Sequence, residues 1–153
     1  MLWNSQEVEV FLKERDYIDT AIVPLLPVSL DKEMKQAASQ GEFMSMLTVV
    51  LEKQFKGRMM LLPAYTYMNV EEGEENQLRL QKWTNELKAQ GFKHVFCLTS
   101  DSSWKEREQN INAEVIWLPT VPLEHMDEPY KRTIIEDQVK QLVTTIVQKW
   151  QIV

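Results

Sequence analysis

Short apolar runs recur along the chain, separated by longer segments in which apolar residues return every three or four positions. The runs are continuous and not alternating, which is typical of strands buried on both faces of a parallel sheet. They lie at residues 20–27, 59–62, 94–99 and 114–118. Helical periodicity marks the segments 34–56 and 76–90, a short segment from 104, and 129–150. This alternation predicts βαβ units, and therefore a parallel sheet with helices on both faces.

The pattern places the chain in the α/β class, as a single domain over residues 1–153. We expect a three-layer sandwich of the flavodoxin-like or Rossmann-like kind, with a four-stranded, mainly parallel sheet. The predicted order puts the second run beside the first, the third on the other side of the first, and the fourth beyond the third. Pro24 predicts that regular pairing of the first strand stops near Val23, or that the strand is peripheral there. A short helix precedes this strand, with Asn4 as its cap and Glu7 three residues later.

Composition narrows the choice of partners. The net charge is −6, and no block of Lys and Arg offsets it, which disfavours nucleic acid and anionic membrane surfaces. No apolar stretch approaches the roughly 18 residues that a membrane span requires. The single cysteine, Cys97, lies in an apolar run and is predicted to be a small core residue. A lone thiol fits a reducing compartment, and without a signal-peptide pattern at the N-terminus a cytoplasmic location is expected.

Motifs for common cofactors are missing. The four glycines stand singly, so the sequence has neither the glycine-rich turn that binds dinucleotides nor a phosphate-binding P-loop. His94 and His125 are the only histidines, and no H-E-x-x-H or C-x-x-C pattern is present. We therefore expect no cofactor and no metal.

Ligand-binding groups are expected where the strands end, because open parallel sheets bind ligands beyond the carboxyl ends of their strands. Asp101 follows the third run, where it could be a working acid or simply cap the next helix. His125 follows Glu124 beyond the fourth run, where the pair could act as general acid and base or lie in a surface loop. The candidate ligand-binding residues are Tyr65, Tyr67, Asn69, Ser100, Asp101, Thr120 and His125.

An acidic loop and one tryptophan suggest a separate docking surface. The glutamates of residues 71–75 could dock a basic partner, or could form a solvated loop. Trp104 follows a Ser/Asp turn and is predicted to be the most exposed of the five tryptophans. The candidate partner-docking residues are Glu71, Glu72, Glu74, Glu75 and Trp104.

Several segments, mostly in the first half of the chain, carry a family resemblance. They are EMKQAAS at 33–39, EKQFKGR at 52–58 and LLPAYTY at 61–67, with supporting matches at 17–21 and 24–27. These segments resemble the YpiF-like proteins, short proteins of spore-forming Gram-positive bacteria. The resemblance implies a stand-alone bacterial domain of the cytosol. It implies no reaction and no catalytic residue.

Two functions of different class remain open. The first is a non-catalytic module for protein interaction or regulation, with a protein partner or a second copy of the chain; it predicts a contiguous exposed apolar and aromatic patch. The alternative is a small-molecule binder or a hydrolase-like enzyme, which predicts a pocket with converging polar groups at the carboxyl ends of the strands. The sequence favours the first.

Overall fold

The chain folds into a parallel sheet between two layers of helices, in a computed structural model that describes residues 1–151. The strands are β1 (Thr20–Val28), β2 (Met59–Leu61), β3 (Tyr65–Met68), β4 (His94–Thr99) and β5 (Glu114–Trp117). The helices are α1 (Ser5–Lys13), α2 (Met34–Gln54), α3 (Gly73–Ala89), α4 (Ser103–Glu106) and α5 (Glu128–Gln151), with 3₁₀ turns at Arg15–Tyr17 and Glu108–Asn110. The predicted α/β class and three-layer arrangement are confirmed.

β1 lies inside the sheet, which follows the order β2-β1-β4-β5 with parallel pairing throughout. Thr20 is level with Met59 on one side and with His94 on the other. The predicted order of the four apolar runs is confirmed. An internal position suits β1 because its first six residues are all buried.

The sheet has one strand more than the sequence predicted, because residues 65–68 form β3 beside the second half of β1. The expectation that pairing stops near Val23 is wrong, since β1 continues to Val28. Pairing with β2 ends at Ile22 and pairing with β3 begins at Leu25. Pro24 lies opposite this interruption on the β2–β3 side, where its missing N–H leaves no ladder bond unmade.

Successive residues of β1 alternate between two apolar layers, as the pleat of a strand requires. Ala21 and Val23 pack in the layer that includes α1, α3 and α4, whereas Ile22 packs against α2 and α5. Cys97 lies in the first layer and is fully buried, as predicted. Burial raises the pKa of its thiol to about 12, so Cys97 is a protonated core residue.

The first helix begins at the predicted cap. Asn4 Oδ1 accepts a hydrogen bond from the Glu7 backbone N–H at 2.8 Å. Glu7 in turn accepts bonds from the Asn4 side-chain amide at 2.9 Å and from the Leu2 N–H at 3.2 Å. The bond to Asn4 satisfies an N–H group that the start of a helix leaves without an intrahelical partner, and the bonds to Glu7 hold the cap and the residue before Trp3 in place.

Candidate functional site

A cleft of about 390 Å³ lies at the carboxyl ends of β1, β3 and β4. The chain leaves β1 through α2 toward β2 on one side, and leaves β4 through α4 toward β5 on the other side. The connections therefore diverge between β1 and β4, which is the switch point where open α/β sheets bind ligands. The cleft residues that the argument below uses are Glu33, Ala37, Gln40, Tyr67, Asn69, Glu71, Gly73, Ser100, Asp101, Ser103, Trp104 and Arg107.

Tight turns hold the β1 and β3 side of the cleft. The Ser29 hydroxyl donates to Asp31 Oδ1 at 2.7 Å, and the Glu33 backbone N–H donates to the same oxygen at 3.0 Å. These bonds, the one from Glu33 first, keep the pKa of Asp31 below its ordinary value. The Asn69 N–H donates to the Val28 carbonyl at 2.9 Å. The chain thus leads from both strands into the rim of the cleft with its backbone groups paired.

Asp101 is the centre of a hydrogen-bond network at the end of β4. Its Oδ2 accepts from the Tyr67 hydroxyl at 2.6 Å, and its Oδ1 accepts from the Ser103 hydroxyl at 2.7 Å and the Ser103 N–H at 3.0 Å. Asp101 therefore caps α4 and also ties β3 to β4. Burial, and secondly the bond to Asp101, raises the pKa of Tyr67 far above its ordinary value. Tyr67 is consequently a neutral phenol, which donates a hydrogen bond to Asp101 and is not ionised.

Trp104 lines the cleft from below and does not lie on the surface. Its side chain is only 2% exposed, so the predicted exposure of Trp104 is wrong. The ring packs edge-on against Tyr65 and Tyr67, with centroids 6.3 and 5.4 Å away. The start of α4 turns the indole inward, where it completes the apolar layer. A side chain in this position can support a site but cannot dock a partner.

Three buried polar atoms of the cleft have no hydrogen-bond partner among the described residues: Gln40 Oε1, Ser100 Oγ and Trp104 Nε1. The indole N–H of Trp104 lies near the Tyr67 phenol but outside hydrogen-bonding geometry. The one further atom of this kind in residues 1–151 is Gln81 Oε1, which lies outside the cleft. Native proteins pair nearly all such groups, so their concentration in one cleft requires an explanation.

The volume of this cleft does not set it apart from other depressions on the protein surface. Depressions of about 410 and 500 Å³ lie near the amino ends of the strands. Within the described part of the chain, however, none of the residues lining those two depressions has a buried side-chain polar atom without a partner. Position at the switch point and unsatisfied polar atoms coincide at the carboxyl end.

The charges of the cleft are mixed, with an acidic excess. Glu71 accepts from the Met68 N–H at 2.6 Å and forms an ion pair with Arg79. Arg107 donates from Nη1 to Gln77 Oε1 at 2.9 Å, and among residues 1–151 it forms no ion pair. The guanidinium group lies so close to the Gly73 backbone that a Cβ at that position would overlap it.

Most of the residues predicted to bind a ligand come together. Tyr67, Asn69, Ser100 and Asp101 line the cleft. Tyr65 lies beneath it, buried, and its hydroxyl donates to the Asn76 carbonyl at 3.1 Å. The structure thus gathers the groups that follow β3 and β4 around one space.

The groups that follow β5 do not join them, since neither Thr120 nor His125 lines the cleft. The side chain of His125 is 86% exposed, with Nε2 3.0 Å from Glu124 Oε1. The pair lies in the exposed loop between β5 and α5, apart from the cleft-lining groups.

The glutamates predicted to dock a partner do not lie together on one surface. Glu71 lines the cleft, whereas Glu72, Glu74 and Glu75 are exposed around the start of α3. Arg107 and Gln40 were not predicted as site residues. Gln40 does have a signal, because Glu33, Ala37 and Gln40 have the spacing of one helix face.

Residues 1–151 contain neither a cluster of metal ligands nor a membrane-spanning helix. No three or more His, Cys, Asp or Glu side chains in this range lie together as metal ligands. No helix of this part of the chain combines the length and apolarity that a bilayer span requires.

Comparison with known proteins gives the family. No solved structure matches the chain. The chain is similar to the protein described as "Uncharacterized protein YpiF" of Bacillus subtilis strain 168, with 37% identity over 152 residues, 98% of each chain. The resemblance to the YpiF-like proteins is therefore confirmed. The family described as "Protein of unknown function (DUF2487)" matches residues 9–150, and the chain belongs to this family.

Proposed function

We propose that the chain binds a small polar molecule in the cleft at the carboxyl end of the sheet. The observation that supports this most is the set of three buried polar atoms without partners. A buried polar group without a partner lowers the stability of the fold, and a ligand that supplies a partner offsets this loss. The hypothesis that predicted a pocket with converging polar groups thus gains support from the geometry.

The chemistry of the cleft favours binding over catalysis. A serine nucleophile needs an adjacent base, and no acceptor in the described residues lies within hydrogen-bonding geometry of Ser100 Oγ. Ser103 does donate to Asp101, but the same Asp101 oxygen also caps α4. Tyr67 remains protonated because of its burial and its bond to Asp101. We therefore infer a non-catalytic binding domain, and the lone buried thiol of Cys97 fits a cytoplasmic location.

A fragment screen by protein-observed ¹H–¹⁵N NMR tests the proposal, with a blocked cleft as reference. Ala37 lines the cleft, so Ala37→Trp fills it. Ala38 is exposed on the same helix and does not line the cleft, which makes Ala38→Trp the matched control. We expect fragments that shift the backbone amides of residues 100–103, bind the control and fail to bind Ala37→Trp. Fragments that bind all three proteins equally, or a screen without hits, contradict the proposal.

A protein-interaction role is the second candidate, because exposed apolar side chains surround the same end of the sheet. Leu30 and Met34 lie between β1 and the first turn of α2, Val70 follows β3, and Trp117 ends β5. The Trp117 indole donates to the Ser100 carbonyl at 3.2 Å, which places this ring beside the cleft. The arrangement suits a regulatory module in which a partner, or a second copy of the chain, senses an occupied cleft.

Sedimentation velocity with and without a cleft-binding fragment tests this second role. Ligand-dependent self-association that Trp117→Ala abolishes supports a second copy as the partner. A chain that stays monomeric in both conditions contradicts a second copy as the partner.

A further inference from the structure

The two walls of the cleft differ in hydrogen-bonding character, and we propose that its ligand is a small zwitterion, specifically a free α-amino acid. This inference rests on the proposed function and names the chemical class of the ligand. Acceptors lie on the α2 wall, and a cation with an unpaired donor lies on the opposite wall around α4. A molecule with an ammonium group at one end and a carboxylate at the other matches this polarity.

The cationic wall consists of Arg107 and the indole N–H of Trp104. Arg107 forms no ion pair in residues 1–151, although three carboxylates line the same cleft. Its one side-chain hydrogen bond, to Gln77, leaves most of the five guanidinium N–H donors without a protein partner. Trp104 Nε1 is buried near the Tyr67 hydroxyl but makes no hydrogen bond of standard geometry. Because a guanidinium fork matches a carboxylate in two parallel hydrogen bonds, a ligand carboxylate fits this wall.

The acceptor wall is the first two turns of α2. Gln40 Oε1 is buried and lacks a donor, and Glu33 has no ion pair within the described range. Asp101, at the floor, accepts three hydrogen bonds from the protein, so one of the roughly four acceptor positions of a carboxylate is left. An ammonium group has three donors and a full positive charge, which these oxygens would accommodate.

A phosphate group fits the same cleft less well. Glu33, Glu71 and Asp101 outnumber Arg107 among the charged residues of the lining, so a group with up to two negative charges is repelled. An α-amino acid with an uncharged side chain is neutral overall, and each of its charged ends meets a group of opposite sign. The cleft volume of about 390 Å³ lies within the range of small-molecule sites, which is about 300–1,000 Å³.

Isothermal titration calorimetry with the proteinogenic L-amino acids, one at a time, tests the inference. For the tightest amino acid, its decarboxylated amine and its deaminated acid remove one charge each, and inorganic phosphate serves as the anionic comparison. We expect each analogue, and phosphate, to bind at least about tenfold more weakly, because each loses one charge-assisted contact. This comparison uses the unaltered chain, so it does not depend on the folding of a variant.

Variants of the cationic wall give the second measurement. Arg107→Met is expected to weaken amino acid binding by about tenfold to a hundredfold, and Arg107→Lys by less, because it keeps the charge. Gly73→Ala is expected to weaken binding without changing any charge, since its Cβ displaces the guanidinium group. Arg15→Met is the control, because Arg15 bonds the Gln90 carbonyl away from the cleft.

The outcomes separate this inference from the proposed function. Amino acid binding that weakens in Arg107→Met and not in Arg15→Met supports the inference. Phosphate or single-charge analogues that bind as tightly as the amino acid overturn it, and so does affinity unchanged in Arg107→Met. If fragments occupy the cleft but no amino acid displaces them, the zwitterion is wrong and the proposed function stands. If neither fragments nor amino acids bind, both are wrong.

Discussion

The two ends of the sheet differ in how completely their buried polar groups are hydrogen-bonded. At the amino end, Asp19 accepts from Arg58 at 3.0 Å and from the Thr20 hydroxyl at 2.8 Å. The Trp150 indole donates to Thr20 at 2.8 Å, and the Arg58 guanidinium lies 3.7 Å from the centre of the Trp150 ring. Each polar group of this amino-end network has a partner within the chain. The network joins β1 to the end of α5 and to the residue that precedes β2.

At the carboxyl end, a paired network and unpaired atoms lie side by side. Asp101 accepts hydrogen bonds from Tyr67 and Ser103, yet Ser100 Oγ and Trp104 Nε1 have no partner among the described residues. Unpaired buried groups lower stability, so folds retain them chiefly where function uses them. The amino-end network thus stabilises the fold, whereas the carboxyl end leaves buried polar groups without protein partners at the site of the proposed ligand.

Removal of the Trp150 side chain is expected to cause the largest loss of stability at the amino end. Trp150→Ala removes the ring that packs edge-on against Phe55 at 4.8 Å and under Arg58 at 3.7 Å, and it leaves Thr20 without a donor. We expect a loss of about 3 kcal/mol in the free energy of unfolding, near the lower bound for a Trp→Ala change because the ring is only partly buried. Urea denaturation measures it.

Trp3→Ala is the matched control, since Trp3 is mostly exposed and its removal should change stability by less than about 0.5 kcal/mol. Fragment binding at the cleft should be the same in wild type and Trp150→Ala at temperatures where both are folded. A loss below that of Trp3→Ala, or a loss of binding in the folded variant, would show that the two ends are not separate.

The sequence predicted the central strands because each is a continuous apolar run, but β3 lacked such a signal. Its four residues follow Pro63, with Tyr65 and Tyr67 buried and Thr66 exposed. Four alternating residues after a proline are too few to distinguish a strand from a loop. Their pairing also depends on β1 continuing past Pro24, which is a tertiary property that local pattern does not contain.

Half of the candidate site followed from the rule that ligands lie beyond strand ends. That rule found Ser100 and Asp101, which follow β4 beside the switch point, but it gave equal weight to Thr120 and His125. Those two follow β5, an edge strand one position further from the crevice. The rule also cannot find Arg107, which lines the cleft from the residue after α4 and not from the end of a strand.

Acid titration of Glu7 tests the amino end through its charges. Glu7 accepts from Lys56 at 2.9 Å, and this bond, foremost among several, lowers the pKa of Glu7 from 4.5 to about 2. A lowered pKa stabilises the fold above the unfolded value, and the stabilisation is lost as the pH falls from about 4.5 to about 2. We expect it to be about 1 kcal/mol at pH 6, because exposure of Lys56 weakens the pair.

Thermal unfolding of Glu7→Gln and wild type at pH 6 and near pH 2 measures this stabilisation. The difference between the two proteins should be largest at pH 6 and close to zero near pH 2. Glu9→Gln, on the same helix, is the control, because Glu9 and its partner Lys13 are both largely exposed and their charged atoms are 4.0 Å apart. A pH-independent difference for Glu7→Gln would mean that the ion pair adds nothing to the amino end.

The smallest expected changes in stability come from two serine variants at the carboxyl end, one with a paired hydroxyl and one with an unpaired hydroxyl. Ser103→Ala removes a donor to Asp101 and should cost about 1 kcal/mol. Ser100→Ala removes a buried hydroxyl that has no partner, so stability should stay within about 0.5 kcal/mol of wild type or rise slightly. Cleft ligands should nevertheless bind Ser100→Ala more weakly, which urea denaturation and calorimetry on the same samples measure. If Ser100→Ala instead lost as much stability as Ser103→Ala, its hydroxyl would be paired within the fold, and the contrast between the two ends would not hold at this residue.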